Sequence, residues 1–420
     1  MNSTKLRVFV VFALGYFVSY LYRGVNIGFA PMLIRDLGLS TTDLGSLTSL
    51  YFLGFAGAQI PAGVLLDHFG ARRVTASVML IAAVGILVYG YSHSLATLMV
   101  GRLLIGVGVS VCLAGAFKAN AQHFPVSQLT LVNGLVMAVG GLGGVAVGTP
   151  LSWILSLTDW RSVCVGLAIV TTAVAMAVGL FAPKTPELRG HATMLDQLKG
   201  TAHILGSPAF WKAATFSALT QSVFYAMQSL WASAYLRDVL PHTPDVASRA
   251  ASLISVLGLA FIAGMIGFGA LARVLERRGL SVYLFSGLTM VLFVAVQIAI
   301  ATQSAIPQFL LWSAYGALGG TGIMTYSVLA AYFPARLLGR VNTTFTLVIF
   351  LLIFVMQSAI GSALGYWPSS DGHYPVAAHQ AVWFGLIAVQ IIGAIWYFMP
   401  SRVSRVPVAS TPATSKTSSA

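Results

Sequence analysis

The feature that most constrains this chain is an apolar run from about Val8 to Leu33 with an arginine, Arg23, inside it. A helix needs roughly 20 apolar residues to cross a hydrocarbon layer about 30 Å thick, so this run is long enough to span a membrane. A guanidinium at that depth costs about 2.5–3.5 kcal/mol on insertion scales, and such groups face a protein interior or a water-filled cavity. The run therefore predicts a membrane helix whose arginine points into the protein.

Arg23 shares one face of that helix with four polar or aromatic residues. They lie 3, 4 and 7 positions away, which places all of them within a third of the helix circumference. These residues are Tyr16, Ser19, Tyr20 and Asn26. A cationic face in a membrane indicates a water-filled path that accepts an anion, so Arg23, Tyr20, Asn26 and Tyr16 are candidate substrate-binding residues. The alternative is a structural arginine that donates to backbone carbonyls or an ordered water.

Eleven further apolar runs follow, beginning near Leu44, Val74, Ala96, Leu131, Ser162, Phe210, Ser248, Ser281, Pro307, Asn342 and Gln380. Of the 420 residues, 57% are hydrophobic and 8% are charged. A soluble domain carries about 25% charged residues, so the composition excludes a soluble globular enzyme. We predict an all-α membrane protein with 12 transmembrane helices in two six-helix bundles.

A polar stretch divides the chain almost in half. We assign residues 1–182 to an N-terminal bundle, 183–208 to a cytoplasmic linker and 209–400 to a C-terminal bundle. Residues 401–420 are rich in Ser, Thr and Pro, which is typical of a disordered tail.

Lysine and arginine are distributed unevenly between the two sides predicted for these helices. With the N-terminus inside, only Arg35, Arg161, Arg237 and Arg249 fall in or beside outer connectors. Because cytoplasmic connectors carry the excess of Lys and Arg, we predict a multi-pass protein of the cell inner membrane with both termini cytoplasmic. This dispersal of basic residues also argues against nucleic-acid binding, which needs them on one surface.

The two halves of the chain contain related segments. Segment 124–133 begins with Phe-Pro and ends with Val-Asn, and segment 333–342 does the same. Both segments connect the fourth and fifth helices of their half. A parallel repeat of two six-helix bundles is a transporter architecture, with substrate bound near mid-depth between the bundles.

Three patterns carry a family resemblance. Segment 63–73 reads Gly-x-x-x-Asp-x-x-Gly-x-Arg-Arg and resembles the signature loop of the major facilitator superfamily. Segment 102–108 reads Arg-x-x-x-Gly-x-Gly and resembles that superfamily's second motif, and Trp160-Arg161 opens the sixth helix, as is common there. The resemblance covers the chain except for its tail and implies the superfamily's fold and a transport activity.

The resemblance also implies a conformational latch. It assigns Asp67, Arg72 and Arg73 to this latch, with a plain interfacial charge cluster as the alternative. Lys118, at the inner end of the fourth helix, can pair with Asp67. Arg102 is grouped with the latch through its motif, with helix packing as its alternative role.

Two subfamilies share features with the chain. Segment 20–23, Tyr-Leu-Tyr-Arg, with Pro31 after it, resembles organophosphate:phosphate antiporters, in which an Arg at this place contacts the substrate phosphate. Segment 59–63, Gln-Ile-Pro-Ala-Gly, looks more like anion:cation symporters. The antiporters have a second substrate-binding Arg in the seventh helix, and this chain has none in residues 210–236. A single arginine fits a carboxylate better than a phosphate ester.

The seventh helix carries a polar stripe that is the counterpart of the Arg23 face by the repeat. Its members have spacings of 4, 4, 3 and 3 and are Ser217, Gln221, Tyr225, Gln228 and Trp231. The stripe faces Arg23 across a cavity, or it is hydrogen-bonded packing between helices. Of these we take Gln221, Tyr225, Gln228 and Trp231 as candidate substrate-binding residues, and Gln59 and Tyr315 as weaker ones.

Two functions remain open at this stage. The first is a secondary transporter that moves a small organic anion by alternating access, with cation or proton coupling left open. The alternative is an efflux carrier for hydrophobic drugs or metabolites, in which Arg23 is structural. The sequence has no nucleotide-binding loop, metal cluster or nucleophile constellation, so we expect no cofactor, metal or enzymatic activity. We expect a monomer in the lipid bilayer.

Overall fold

The computed structural model of the chain describes residues 3–183, 193–241, 243–334, 337–369 and 373–400. Within these residues, every predicted apolar run is helical. The membrane helices of the first half are α1 (Ser3–Gly24 and Asn26–Leu37), α2 and α3 (Thr41–Gly90, broken at Gly70), α4 (Leu95–Val109 and Cys112–His123), α5 (Val126–Ala146 and Thr149–Leu157) and α6 (Trp160–Phe181). Those of the second half are α7 (Pro208–Ala226, Met227–Trp231 and Ala232–Val239), α8 (Val246–Arg277), α9 (Val282–Ala301), α10 (Gln308–Gly319, Gly320–Ile323 and Met324–Ala330), α11 (Leu338–Gly365) and α12 (Val376–Phe398).

The helices have the length and surface of membrane spans. Among the described residues, eight helices are long and apolar enough to cross a membrane, or nine if the bent pair in α5 counts as one span. Thr41–Gly90 has 50 residues, about 75 Å of helix, and therefore contains two spans. Large apolar side chains such as Leu180, Trp153 and Ile392 are exposed, which suits contact with lipid.

Gly70 separates α2 from α3. Its φ of 77° lies in the left-handed region, which glycine adopts without a steric penalty. The glycine of the predicted signature loop therefore makes the turn that reverses the chain, and it places Asp67 at the end of α2 and Arg72 at the start of α3.

We call α1–α6 the N lobe and α7–α12 the C lobe. The terminal face is the side where α1 begins and α12 ends, and the distal face is the opposite side. The linker contains one further helix, Met194–Leu205, which begins with a capping box between Thr193 and Asp196. Hydrogen bonds from Thr193 lower the pKa of Asp196. The predicted domain boundaries remain a prediction, and residues 184–192 and 401–420 lie outside the described ranges.

The two lobes meet near the distal face. On one side, α2 packs on α11, where a Cβ on Gly45 would lie 3.2 Å from the Cα of Gly361. On the other side, α5 packs on α8, where the Thr149 amide donates to Ser255 Oγ at 2.8 Å. The Ser255 hydroxyl in turn donates to the Val145 carbonyl at 3.2 Å. These two seams close the distal side of the space between the lobes.

Near the terminal face the lobes separate around a cavity of about 1100 Å³. It lies between the first half of α5 and the ends of α8 and α10, with residues such as Asn133, Ala138, Met265, Arg273 and Tyr332 on its walls. The protein is therefore closed at the distal face and indented at the terminal face.

Close helix packing gives a first prediction. A Cβ on Gly264 of α8 would lie 2.0 Å from the Ala317 carbonyl oxygen on α10, whereas a Cβ on Gly267 meets no atom within 4 Å. We expect Gly264→Ala to destabilise the protein by about 1–3 kcal/mol, because α8 and α10 must move apart. Gly267→Ala is the matched control. Thermal unfolding in detergent measures both, and equal melting temperatures would contradict the packing argument.

Candidate functional site

Arg23 lies at the boundary between the lobes. It occupies the last turn of the first α1 segment, just before the interruption at Val25, where the carbonyl end of a helix favours a cation. The residue is 6% exposed, its Nε has no hydrogen-bond partner, and it forms no salt bridge within the described residues. The chain thus holds a buried guanidinium without a carboxylate beside it.

Aromatic rings from both lobes surround this guanidinium. Its Cζ lies 4.3 Å from the ring centroid of Tyr20 on α1, 4.9 Å from that of Tyr225 on α7 and 5.4 Å from that of Phe350 on α11. Rings at these distances attract a cation through their quadrupoles, and more strongly where water is excluded. Arg23, Tyr20, Tyr225 and Phe350 form what we call the aromatic cage.

A second layer of rings supports the cage. Phe350 stacks on Phe55 of α2 with centroids 4.1 Å apart, and Phe261 of α8 lies 6.2 Å from Tyr20. The Tyr51 hydroxyl donates to the Ser19 carbonyl at 3.1 Å and so ties α2 to α1. The sequence reasoning did not select Phe350, Phe55, Phe261 or Tyr51. The four-residue spacing of Tyr51 and Phe55 on α2 was a usable signal, but nothing in the sequence marked Phe350 or Phe261.

Several polar atoms beside the cage are buried and lack a partner among the described residues. They are both amide atoms of Gln228 and the Nε of Arg23. A Cβ on Gly144 of α5 would lie 3.4 Å from the Tyr20 ring and 3.6 Å from the Gln228 amide nitrogen, so these two side chains border the same space. Buried polar groups are normally hydrogen-bonded, and a set of unpaired ones at an interface is suited to a polar ligand or water.

The structure places two predicted site residues away from the cage. The amide of Asn26 donates to Thr48 at 2.8 Å and accepts from the Tyr89 hydroxyl at 3.0 Å, so it links helices inside the N lobe. Tyr315 lies in the C-lobe core with its ring 4.9 Å from Phe293. Its hydroxyl is buried without a partner. We correct the expectation that these two side chains face the space between the lobes.

The stripe on α7 divides into three parts. Gln221 donates to Ser217 at 2.9 Å and to the Gly322 carbonyl of α10 at 3.4 Å, so this end is packing within the C lobe. Tyr225 and Gln228 border the cage. Trp231 lies at the distal seam, where its ring would be 3.2 Å from a Cβ on Gly45.

The remaining two candidates lie towards the terminal face. Tyr16 is buried below Tyr20, with the two rings 5.7 Å apart and edge to face. Gln59 is partly buried on α2, eight residues beyond Tyr51, or about 12 Å along the helix. Tyr16 therefore adjoins the cage, and Gln59 does not.

Comparison with protein families decides the class of the chain. A family model described as the Major Facilitator Superfamily matches residues 12–357. The chain belongs to the Major Facilitator Superfamily. A bacterial homolog of the human lysosomal transporter Spinster, solved in an inward-facing and unoccupied conformation, has this superfamily's fold in common with the chain. Its TM-score is 0.73, with 17% sequence identity over 95% of this chain and 97% of that one.

Three curated relatives match shorter parts of this chain than the solved structure does. A probable sulfoacetate transporter, SauU, from Cupriavidus necator is 28% identical over 46% of this chain and 44% of that protein. The glucose transporter GlcP of Staphylococcus epidermidis is 26% identical over 44% and 42%. A putative tartrate transporter of Agrobacterium vitis is 27% identical over 43% and 40%. The chain thus spans less than half the length of each of these relatives.

The superfamily's signature loop lies at the terminal face. Lys118 on α4 pairs with Asp67 at 2.7 Å and also donates to the Leu66 carbonyl at 2.7 Å, which confirms the predicted pairing. Arg72 donates to the Gly179 carbonyl of α6 at 2.7 Å. Arg73 also has a bonding or electrostatic partner. The loop thereby joins α2, α3, α4 and α6 within the N lobe.

Arg102 does not lie with this loop, so its grouping with the latch is corrected. It is sixteen residues before Lys118, roughly 24 Å along α4 towards the distal face. It is fully buried, donates to the Tyr22 carbonyl at 3.1 Å and lies 5.2 Å from the Tyr51 ring centroid. These contacts hold α1 next to Arg23, while the Nε and one terminal nitrogen of Arg102 are buried without a partner among the described residues.

Proposed function

We propose that this superfamily member is a secondary transporter that moves a small organic anion across the inner membrane by alternating access. The two lobes rock about the aromatic cage, and Arg23 binds the anionic group of the cargo. A carboxylate suits one guanidinium better than a phosphate ester does. The terminal face is the cytoplasmic side, so that both termini lie inside, and the protein works as a monomer in the bilayer.

The observation that carries this proposal is the buried Arg23 guanidinium, which lies at the boundary of the lobes and forms no salt bridge within the described residues. A buried charge without a counter-charge is costly, and a cargo carboxylate removes that cost when it binds. The cage is built from both lobes, so a ligand on Arg23 touches the parts that move relative to each other. Gln228 adds unpaired polar atoms to hold the rest of the ligand.

The named relatives give partial support. Sulfoacetate and tartrate, in the names of two of them, are small organic anions. Glucose, in the name of the third, is neutral. The proposal of an anion therefore depends on Arg23 rather than on these names.

The test is uptake by the purified protein in liposomes. Small carboxylates, sulfonates and phosphate esters are compared as competitors with neutral sugars and lipophilic cations. We expect competition by carboxylates or sulfonates and none by neutral sugars. Competition by sugars alone, or equal competition by all classes, would overturn the anion assignment.

A second candidate is an efflux carrier for hydrophobic compounds. The terminal cavity favours it, because Leu131, Leu135, Met137, Ile266 and Met324 line its wall. In that case Arg23 is held by its rings alone, and lipophilic cations compete in the assay above while carboxylates do not.

The Asp67–Lys118 pair gives a prediction for the latch. The pair is partly exposed, so its loss costs stability little. We expect Asp67→Asn to slow transport several-fold while leaving substrate affinity unchanged, because the loop contributes to lobe movement and not to the cage. Initial rates and equilibrium binding measure the two effects, with Asp196→Asn on the linker helix as the control. A matched loss of affinity would argue against a latch.

A further inference from the structure

A cluster of titratable groups lies at the distal end of the C lobe, apart from the cage. Asp238, near the end of α7, has a 6% exposed side chain. Its Oδ1 lies 2.8 Å from His373 Nδ1, and its Oδ2 lies 2.7 Å from His379 Nε2. The Tyr374 amide also donates to Oδ2, at 3.2 Å. One buried carboxylate thus bridges two imidazoles.

The two imidazoles differ in access to water. The His373 side chain is 47% exposed, and the His379 side chain is 5% exposed and packs edge to face on Tyr235. A neutral imidazole has one N–H, and protonation adds a second N–H and a positive charge. A buried carboxylate is stabilised by a paired cation and destabilised without one. The geometry is that of a proton site reached from the distal face through His373.

The cluster is connected to the contact between the lobes. The Tyr374 amide donates to Asp238. The Tyr374 hydroxyl forms a second hydrogen bond, of 2.8 Å, with the hydroxyl of Thr41 at the start of α2. Beside it, Thr42 donates to the Gly361 carbonyl of α11 at 3.4 Å. Hydrogen bonds therefore connect the Asp238 carboxylate, through Tyr374, to the start of α2 at the α2–α11 seam.

Other charged groups nearby have partners of their own. The titratable and charged groups on the surrounding elements are Tyr235 and Arg237 on α7, Asp245 and Arg249 at the start of α8, Tyr374 and His379 at α12, and Asp43 at the start of α2. Arg237 donates to the Ser233 carbonyl at 3.3 Å, and Asp43 caps α2 with Ser40. His242 and Asp371 lie outside the described residues. Within the described part of the chain, the carboxylate of Asp238 forms hydrogen bonds only with the two imidazoles and the Tyr374 amide, and the neighbouring Arg237 also acts on it through its charge.

We propose that Asp238, His373 and His379 form a proton-binding site that stabilises closure of the distal face when protonated. The proton comes from water on the distal side, resides on an imidazole nitrogen and returns to water when the face opens. Coupling of this proton to cargo rests on the proposed transport function, whereas the pH dependence of the closure does not.

The test measures closure directly and without cargo. Spin labels on Ala96→Cys and Ala305→Cys report the separation of the lobes at the distal face, and the native Cys112 and Cys164 are buried. The separation is followed from about pH 8 to pH 5, the range in which imidazoles titrate. We expect the closed-to-open ratio to rise about tenfold as the pH falls over this range.

The variants separate the site from general effects. Asp238→Asn and His379→Gln should each abolish the pH response. His379→Gln keeps a hydrogen-bond donor, so it serves as the test if Asp238→Asn fails to fold. Tyr374→Phe should lower closure at every pH. His93→Gln, an exposed histidine at the distal face of the N lobe, should leave the response unchanged. A pH response that persists in His379→Gln, or that is absent in the native protein, would overturn the proposal. Failure of anion uptake alongside an intact pH response would instead count against the transport function only.

Discussion

Arg23→Gln is expected to lower the affinity for the transported anion by roughly ten- to one-hundred-fold. Hydrogen bonds to a charged group are worth about 1.5–3 kcal/mol, and each 1.4 kcal/mol is a factor of ten. Glutamine retains a donor but loses the charge that the cage was built around. The affinity of Arg23→Lys should lie between those of the native protein and Arg23→Gln, because an ammonium keeps the charge and loses the paired N–H groups of a guanidinium. Equilibrium binding and initial uptake rates measure both variants.

Arg161→Gln is the matched control for this prediction. Arg161 also lies over an aromatic ring, 4.2 Å from the Trp160 centroid, but it donates to the Gly90 and Ser92 carbonyls within the N lobe. Its removal takes one positive charge from the same lobe and leaves the cage intact. We expect an unchanged affinity. A native affinity in Arg23→Gln, or an equal loss in both variants, would contradict a direct role for Arg23.

Gly45→Val is expected to reduce uptake more than tenfold while the protein still folds. A Cβ on Gly45 would lie 2.7 Å from the Gln357 carbonyl oxygen and 3.2 Å from the Gly361 Cα, both on α11. These atoms belong to the opposite lobe, so the added side chain obstructs closure and not the packing of the N lobe. The variant should remain open at the distal face and bind cargo without completing the cycle.

Gly57→Val provides the comparison on the same helix. A Cβ there meets no atom within 4 Å, and the change from glycine to a β-branched residue is the same. The spin-label separation between Ala96→Cys and Ala305→Cys in each background reports the opening. Equal uptake by the two valine variants would show that the α2–α11 seam does not gate transport.

Much of the fold could be predicted from the sequence, because membrane helices are set by local composition. Apolar runs of the right length predicted the helices, and the resemblance of segments 63–73 and 102–108 implied the superfamily that the comparison with protein families confirms. The interruption of α1 at Val25 and the wide turn in α7 were not predicted, since neither contains a proline.

Less of the candidate site could be predicted, because it depends on how the lobes are rotated against each other. Helical spacing correctly placed Tyr20 beside Arg23 and Tyr225 opposite it. The same spacing also selected Asn26, whose partner Tyr89 is 63 residues away and invisible to a local pattern. Phe350 has no polar atom, so a search for polar stripes does not select it.

The π-helical turn Met227–Trp231 has a mechanical consequence for α7. Gln228 borders the cage and Trp231 fills the α2–α11 seam, and both belong to this single five-residue turn. A π turn holds one more residue than an α turn, so a change to regular winding swings everything beyond it by about 100°. Rewinding of this turn would therefore rotate Gln228, beside the cage, and Trp231, at the α2–α11 seam, together.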